Sequence, residues 1–470
     1  MARGPGSGLG RRGFLSACAG AGALGVAAAT GCARSRCEAV EVPELERVEG
    51  PKTDASTPAP EVAPYAELEG FCEGLEPVTV AEYEGRIEAL RRRMRAAGLA
   101  GVVLESGADM RYLGGPRWRR SERPLLLAVG LEGPPALIGS AFERHTYAGH
   151  PSPLALELRT WEENEDPYAR ALDALVALGA GRGSAQVAVT PDTRGFVIAG
   201  LQAAGKGKVE VQLDSAVVEA GRRVKSPTEL ALLRRANEAT KAAIAAAAQT
   251  LHVGVTEAEF AAQIRAAQRA AGLSTPWVLA LFGPNAAYPH GNPHGEGERG
   301  ARPLAEGELV LVDTGGFLHG YASDISRTFA FPEPSVIDAD RRRAWDTVRA
   351  AQQAAFEAIR PGVTCGQVDA AARAVIAKAG YAEGYGDFTH RLGHGIGLEV
   401  HEPPYLVDGA SRGPGRAGPE RVLEAGNTMS NEPGIYRVGA FGVRIEDIVA
   451  VTETGAEVFG PWSASLDEPF

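Results

Sequence analysis

The first sustained pattern of apolar and polar positions begins at Thr79, where AEYEGRIEALRRRMRAAG sets Ile87, Leu90 and Met94 at helical spacing and closes on Gly98. Short apolar runs follow at 101–105 (GVVLE), 123–130 (RPLLLAVG) and 135–139 (PALIG), each predicting a buried strand. A helix is predicted over 166–179 and a further strand over 185–190 (AQVAVT). This alternation predicts an α/β-layered first domain over 79–219, with no compelling catalytic cluster inside it.

A second domain is predicted over 226–460, and its start is written in capping chemistry. Ser226-Pro227-Thr228-Glu229 supplies a capping hydroxyl, a proline at the first helical position and a glutamate that closes a capping box, so a long helix should run toward Gly254. Thr256 and Glu259 open the next helix, which stops at Gly272. After a long helix at about 338–359 the phrase returns, with Thr364 and Gln367 capping a helix that ends at Gly380.

The repetition continues downstream. LAEGELVLVD (304–313) matches LEAGNTMSNE (423–432) in its leucine, its glycine and its final carboxylate, so Asp313 corresponds to Glu432. VDTGGFLHGYASDISRTF (312–329) reads as a β-hairpin with Asp313 and Asp324 on its arms and Gly315, Gly316 and Gly320 favouring the reversal. GVRIEDIVAV (442–451) then offers Glu446 as the counterpart of Asp324. Paired arms would bring facing carboxylates to roughly 5 Å. Buried anions that close need a proton or a cation between them. One such pair alone would read as solvated surface acids, but a duplicated pair meeting across a pseudo-twofold does not.

One more donor is expected in FTHRLGHGIGLEVHE (388–402), which places His390, His394 and His401 among Gly393, Gly395 and Gly397 in a chain of nine histidines. The glycines let backbone approach a crowded site. Four carboxylates and an imidazole form a hard donor set without thiolate, suited to Mn²⁺, Co²⁺, Fe²⁺ or Zn²⁺ in a catalytic role rather than to structural zinc. Five residues hold two ions about 3.5–4 Å apart only if carboxylates bridge, and water between two dications ionises near neutral pH, so hydrolysis is the natural chemistry.

Charge and the chain ends narrow the partners. A net charge of −11 over 470 residues, without a basic stripe, excludes an electrostatic footprint for nucleic acid. Residues 1–37 read as an export signal, because Arg11-Arg12-Gly13-Phe14-Leu15 resembles the twin-arginine motif and precedes an Ala/Gly-rich run too thin for a membrane span. Ala29-Thr30-Gly31-Cys32 resembles a lipoprotein cleavage box with Ala29 where Leu or Val is usual, which leaves a lipid anchor at Cys32 open. The expected destination is periplasmic or membrane-anchored. Residues 38–78, rich in Pro, Glu, Ala and Thr, read as a flexible tether. A Cys37–Cys72 disulfide is allowed but not required by the spacing.

PHGNP (289–293), VDTGG with SDISRTF, GHGIGLEVHE, NEPGIY (431–436) and RIED (444–447) together resemble the pita-bread metallopeptidases: Xaa-Pro aminopeptidase, prolidase, methionine aminopeptidase and the metal-free relative creatinase. The likeness covers about 226–459, and the preceding domain resembles the creatinase-type N-terminal domain. The fold implied is an α/β N-terminal domain followed by an α+β pita-bread catalytic domain with an internal pseudo-twofold repeat. The resemblance implies that Asp313, Asp324, His394, Glu432 and Glu446 hold two divalent ions, Mn²⁺ before Co²⁺, Zn²⁺ or Fe²⁺, with Asp324 and Glu446 bridging. It makes Glu432 the proton acceptor and donor, gives His290 and His401 to substrate, and gives His390 and Arg444 supporting roles. The activity implied is hydrolysis of Xaa-Pro bonds as an aminopeptidase or dipeptidase, on a peptide with proline in second position, by a homodimer. A creatinase-type amidinohydrolase and a non-catalytic binding protein are the alternatives, both disfavoured by the retained ligand set. The stretch 408–422 departs from the compact pattern and reads as an inert loop, with a lid as its alternative. Trp118, Arg119 and Arg120 read as a solvated basic loop, with a reach toward the site as the alternative.

Overall fold

The computed structural model describes residues 65–147, 149–150, 152–179, 185–214, 216–293, 300–407 and 421–470. The segment with Arg11, Arg12, Cys32 and Cys37 and most of the 408–422 stretch lie outside the described residues. Among the described residues no helix is long and apolar enough to cross a membrane.

Thr79 caps the helix Val80–Ala96, and the first domain is built around the strand Leu99–Glu105. Its six-stranded mixed sheet runs in the order Glu157–Trp161, Ala136–Ser140, Leu126–Gly130, Leu99–Glu105, Ala185–Val189 and Val209–Leu213. Leu99–Glu105 pairs antiparallel with Leu126–Gly130 and parallel with Ala185–Val189, so it is enclosed on both edges, consistent with its unbroken apolar run. The two outer strands were not foreseen, because Glu157–Trp161 and Val209–Leu213 are half-exposed edges with mixed composition. The last helix, Ala216–Arg223, continues past 219 into the connector.

The second domain repeats one unit of two helices followed by antiparallel strands. Pro227–Ala248 and Glu257–Ala270 precede the strands Ser274–Phe282, Glu308–Leu318 and Ile325–Phe331. Ala339–Ala358 and Cys365–Lys378 precede Gly393–Gly395, Glu402–Leu406, Thr428–Asn431 and Asp447–Val451. All three capping boxes form, at Ser226/Glu229, Thr256/Glu259 and Thr364/Gln367. Each such cap stabilises its helix by about 1 kcal/mol. The helix Pro227–Ala248 turns a largely alanine face inward, burying Ala236, Ala239, Ala243 and Ala247, which lets it lie close against the strand Glu308–Leu318. The hairpin Gly434–Arg437 and Phe441–Arg444 stands apart as its own two-stranded sheet, and the two halves meet where the Glu446 amide donates to Ser326 O at 3.0 Å and Thr328 Oγ1 donates to Arg444 O at 2.8 Å.

Two expectations need correction. Within the 38–78 stretch read as tether, residues 65–78 are folded onto the body: Tyr65, Leu68, Cys72 and Val78 are all buried in the main core. The spaced apolar residues there outweigh the surrounding Pro and Glu. Cys72 is a buried thiol whose proposed partner lies outside the described residues. Of the three hairpin glycines only Gly320 has a left-handed φ, at +90°, and it follows His319 at +48°. Gly315 instead lies in an extended strand where a Cβ would stand 1.9 Å from Ser323 O, so its role is close approach rather than reversal.

Candidate metal centre

The hairpin forms as expected, with Ser326 opposite Asp313 in an antiparallel ladder, and Asp324 lies two residues before Ser326, immediately ahead of the strand Ile325–Phe331. Side chains alternate along a strand, so Asp313, Asp324 and Ser326 share one face. The second half mirrors this placement: Glu432 follows the strand Thr428–Asn431, and Glu446 immediately precedes Asp447–Val451. His394 lies in the short strand Gly393–Gly395, where glycines on both sides allow Ser430 and Glu402 backbone to close in.

These residues converge. Donor atoms of Asp313, Asp324 and Glu446 lie within 4.8 Å of one another, as do those of His394, Glu432 and Glu446, and those of Asp324, His394 and His401. His394 Nε2 is 3.2 Å from Glu432 Oε1 and 3.5 Å from Asp324 Oδ2. Its Nδ1 is 3.1 Å from Gly395 O, so with a cation in place of the Nε2 proton the ring would keep donating there, the tautomer a metal needs.

Electrostatics sharpen the picture. Burial, reinforced by Glu446 and Asp313, pushes Asp324 well above the usual carboxylate range, and burial with Glu432 and Asp313 does the same to Glu446. Asp313 is also raised by burial, against the pull of Arg444. Glu432 behaves oppositely: burial raises it, but the hydrogen bond and charge of His394, with His390 and Arg444, outweigh this and bring it to about 2. Asp313 Oδ1, Asp324 Oδ1 and Glu446 Oε1 are buried with no hydrogen-bond partner. Three orphaned carboxylate oxygens around one imidazole fit hard divalent cations, because a cation satisfies oxygens that no donor reaches.

A layer of donors holds this face. Arg444 Nη2 donates to Asp313 Oδ2 at 2.6 Å and its Nε to Ser326 Oγ at 2.8 Å, while Ser326 Oγ donates to Glu446 Oε2 at 2.7 Å. Arg444 Nη1 reaches Tyr436 OH at 3.0 Å, and that hydroxyl lies 2.8 Å from His390 Nε2. His390 Nδ1 is 2.7 Å from Arg391 O, so a neutral ring donates there and accepts from Tyr436. His390 therefore supports the centre from behind. His401 stacks edge-on against His394 at 3.9 Å, its ring exposed to the cavity. His290 lines the same cavity of about 1260 Å³ together with Asp313, Asp324, Glu432 and Glu446. Ser326, Tyr436, Ser430, whose hydroxyl donates to Glu432 Oε1 at 3.0 Å, and Arg391, which lines the cavity, carry no sequence signal: the first three are ordinary polar strand residues, and a lone arginine beside histidines has no distinguishing spacing. Trp118 packs on Tyr147 at 4.8 Å, Arg120 pairs with Asp192 at 2.8 Å, and neither Trp118, Arg119 nor Arg120 lines the cavity.

Comparisons with known proteins converge on one group. Residues 231–453 match the model of metallopeptidase family M24, and 86–224 match the creatinase/prolidase N-terminal domain. The chain is 41% identical over 377 residues to the protein named "Probable dipeptidase PepE" of Mycobacterium tuberculosis, covering 80% of this chain and 93% of that one. It is 39% identical over 246 residues to an Xaa-Pro dipeptidase of Lactobacillus delbrueckii, covering 52% of this chain and 61% of that one. Among solved structures, dipeptidase PepE from Mycobacterium ulcerans superposes with a TM-score of 0.71 at 38% identity, covering 82% of this chain and 97% of that one. Recombinant prolidase from Thermococcus sibiricus gives 0.68 at 25% identity, with 81% and 97% covered.

Proposed function

Since the chain belongs to metallopeptidase family M24, with a creatinase/prolidase N-terminal domain and the pita-bread catalytic fold, we propose that it is a metal-dependent exopeptidase of the Xaa-Pro dipeptidase type. The observation that carries this reading is the set of buried, unpartnered oxygens on Asp313, Asp324 and Glu446 beside His394 and Glu432. Asp313, Asp324, His394, Glu432 and Glu446 would hold divalent cations, Mn²⁺ first among candidates. Divalent cations bound there lower the pKa of water and polarise the scissile carbonyl. The names of the similar dipeptidases support the dipeptidase over the aminopeptidase form.

The chain's own groups divide the remaining work. Glu432, on the cavity wall beside His394, accepts the proton of the attacking water and returns it to the prolyl nitrogen as the bond breaks. His290 and His401, flanking the cavity, hold the substrate carbonyl and donate to the oxygen as negative charge develops on it. Arg444 fixes Asp313 directly and Glu446 through Ser326. Tyr436 locks Arg444 to His390, so the carboxylate face is preorganised by neutral donors and one cation.

Mature protein supplied with Mn²⁺ should hydrolyse Xaa-Pro dipeptides in preference to Xaa-Pro-Xaa tripeptides. Asp324→Asn should lose both activity and bound metal. Turnover of neither peptide class would sink the proposal, and an Asp324→Asn enzyme active in chelator would sink the metal chemistry.

A further inference from the structure

We infer that Arg222, at the end of the N-terminal domain, is a positioning residue for His401: the connector between the domains grips the loop that presents this imidazole to substrate. The inference deepens the function proposed above and rests on the role assigned there to His401.

His401 is exposed to the cavity, and its ring contact to His394 is edge-on, so little side-chain packing fixes it. Its place must come from the backbone of the loop Gly397–Glu402. Behind that loop lies a second cavity, of about 180 Å³, which His401 also lines together with Asp109, Arg222, Glu399 and Glu402. The wall behind His401 is therefore charged rather than apolar.

Arg222 dominates that wall. Its Nη1 donates to Asp109 Oδ1 of the first domain at 2.7 Å, and its Nη2 donates to Glu399 Oε2 at 2.6 Å and to Glu402 Oε2. Lys225 in the connector donates to the other Glu402 oxygen at 2.6 Å. Both oxygens of the residue next to His401 are thus held from the connector, and Glu399, two positions before it, is held as well. Arg111 of the first domain adds a bond to Leu398 O at 2.9 Å. Gly397 leaves room for the grip: a Cβ there would stand 2.5 Å from Glu402 Oε1 and 3.0 Å from Lys225 Cε.

Such a network is costly to bury, and removing one partner leaves charges unpaired. A guanidinium whose two terminal nitrogens donate to three carboxylates is not matched by a lysine, whose ammonium is a point charge. What the geometry secures is the register of one loop against the metal cluster, where a displacement of about 1 Å costs on the order of a hundredfold in rate.

The experiment is a double-mutant cycle read on hydrolysis of an Xaa-Pro dipeptide, using Arg222→Gln, His401→Ala, the double variant and Arg222→Lys, with bound metal measured for each. Arg222→Gln should lower kcat/KM tenfold or more while retaining metal. In the His401→Ala background the same change should cost less than threefold, because the group it positions is gone. Arg222→Lys should fall between wild type and Arg222→Gln, and it carries the cycle if Arg222→Gln does not fold. Equal losses in both backgrounds, or no loss in either, overturn the inference alone. His401→Ala with wild-type kinetics overturns the role of His401 and this inference with it, and absence of dipeptide turnover by the unaltered protein overturns the proposed function and both.

Discussion

Replacement of Ser326 by alanine isolates the layer behind the cluster without touching any of the five proposed ligands. Ser326 is fully buried, and its hydroxyl donates to Glu446 Oε2 at 2.7 Å while accepting from Arg444 Nε at 2.8 Å. Alanine fills nearly the same space, so the change removes a charge-assisted hydrogen bond from Arg444 and a second bond to the Glu446 carboxyl, and leaves a buried carboxyl oxygen and a buried N–H unmatched. Each such loss is worth about 1.5–3 kcal/mol, and partial relaxation of Arg444 onto Asp313 and Tyr436 brings the expected loss of stability in the metal-free protein to about 2–4 kcal/mol. The same hydroxyl orients Glu446, so affinity for Mn²⁺ should fall about 10- to 100-fold, the usual effect of losing an outer-shell partner. Chemical denaturation of the chelator-treated protein gives the first quantity, and calorimetric titration with Mn²⁺ gives the second. At saturating Mn²⁺, kcat should return to within a fewfold of wild type. Unchanged Mn²⁺ affinity with lost stability would refute the claim that Ser326 orients a ligand.

Enclosure of His390, with Arg444 opposing its charging, pushes its imidazole down to about 4. Its unfolded value is about 6.5. Between these values the unfolded chain binds a proton that the folded chain refuses, so stability should fall as pH drops from 6.5 toward 4. Denaturation at pH 7 and pH 5 should show a smaller acid loss in His390→Gln than in wild type, and equal losses would contradict it. Gly315→Ala should destabilise by about 2–3 kcal/mol and loosen metal binding, because a Cβ 1.9 Å from Ser323 O forces the hairpin arms apart. A melting shift below a degree would show that the hairpin absorbs it. Residues 1–37 fused to a reporter should direct twin-arginine export, and Arg11→Lys with Arg12→Lys should abolish it; export of the altered fusion would remove the basis for that localisation.

How much of this was legible depends on which interactions are local. The three capping boxes were readable because a cap is made by residues three apart, and Ser226, Thr256 and Thr364 each cap as their spacing says. Asp313, Asp324, Glu432 and Glu446 were readable because the chain writes the motif twice, and a repeat carries tertiary information in linear form. The folded stretch 65–78 was not, since Tyr65, Leu68 and Cys72 are spaced apolar residues whose burial depends on a surface supplied by later helices.

The amino-acid sequence alone therefore determined where the helices of the catalytic domain begin and which four carboxylates belong together, because periodicity, capping and duplication are properties of neighbouring or repeated positions. Only the tertiary structure decided how those groups are held. It left one oxygen each of Asp313, Asp324 and Glu446 without a donor, tied Arg444 to Asp313 across 131 positions, and gripped the loop of His401 through Arg222, 180 positions from Glu402. Serines, tyrosines and arginines of this kind have no distinguishing spacing, and their roles exist only once distant strands and the two domains stand side by side.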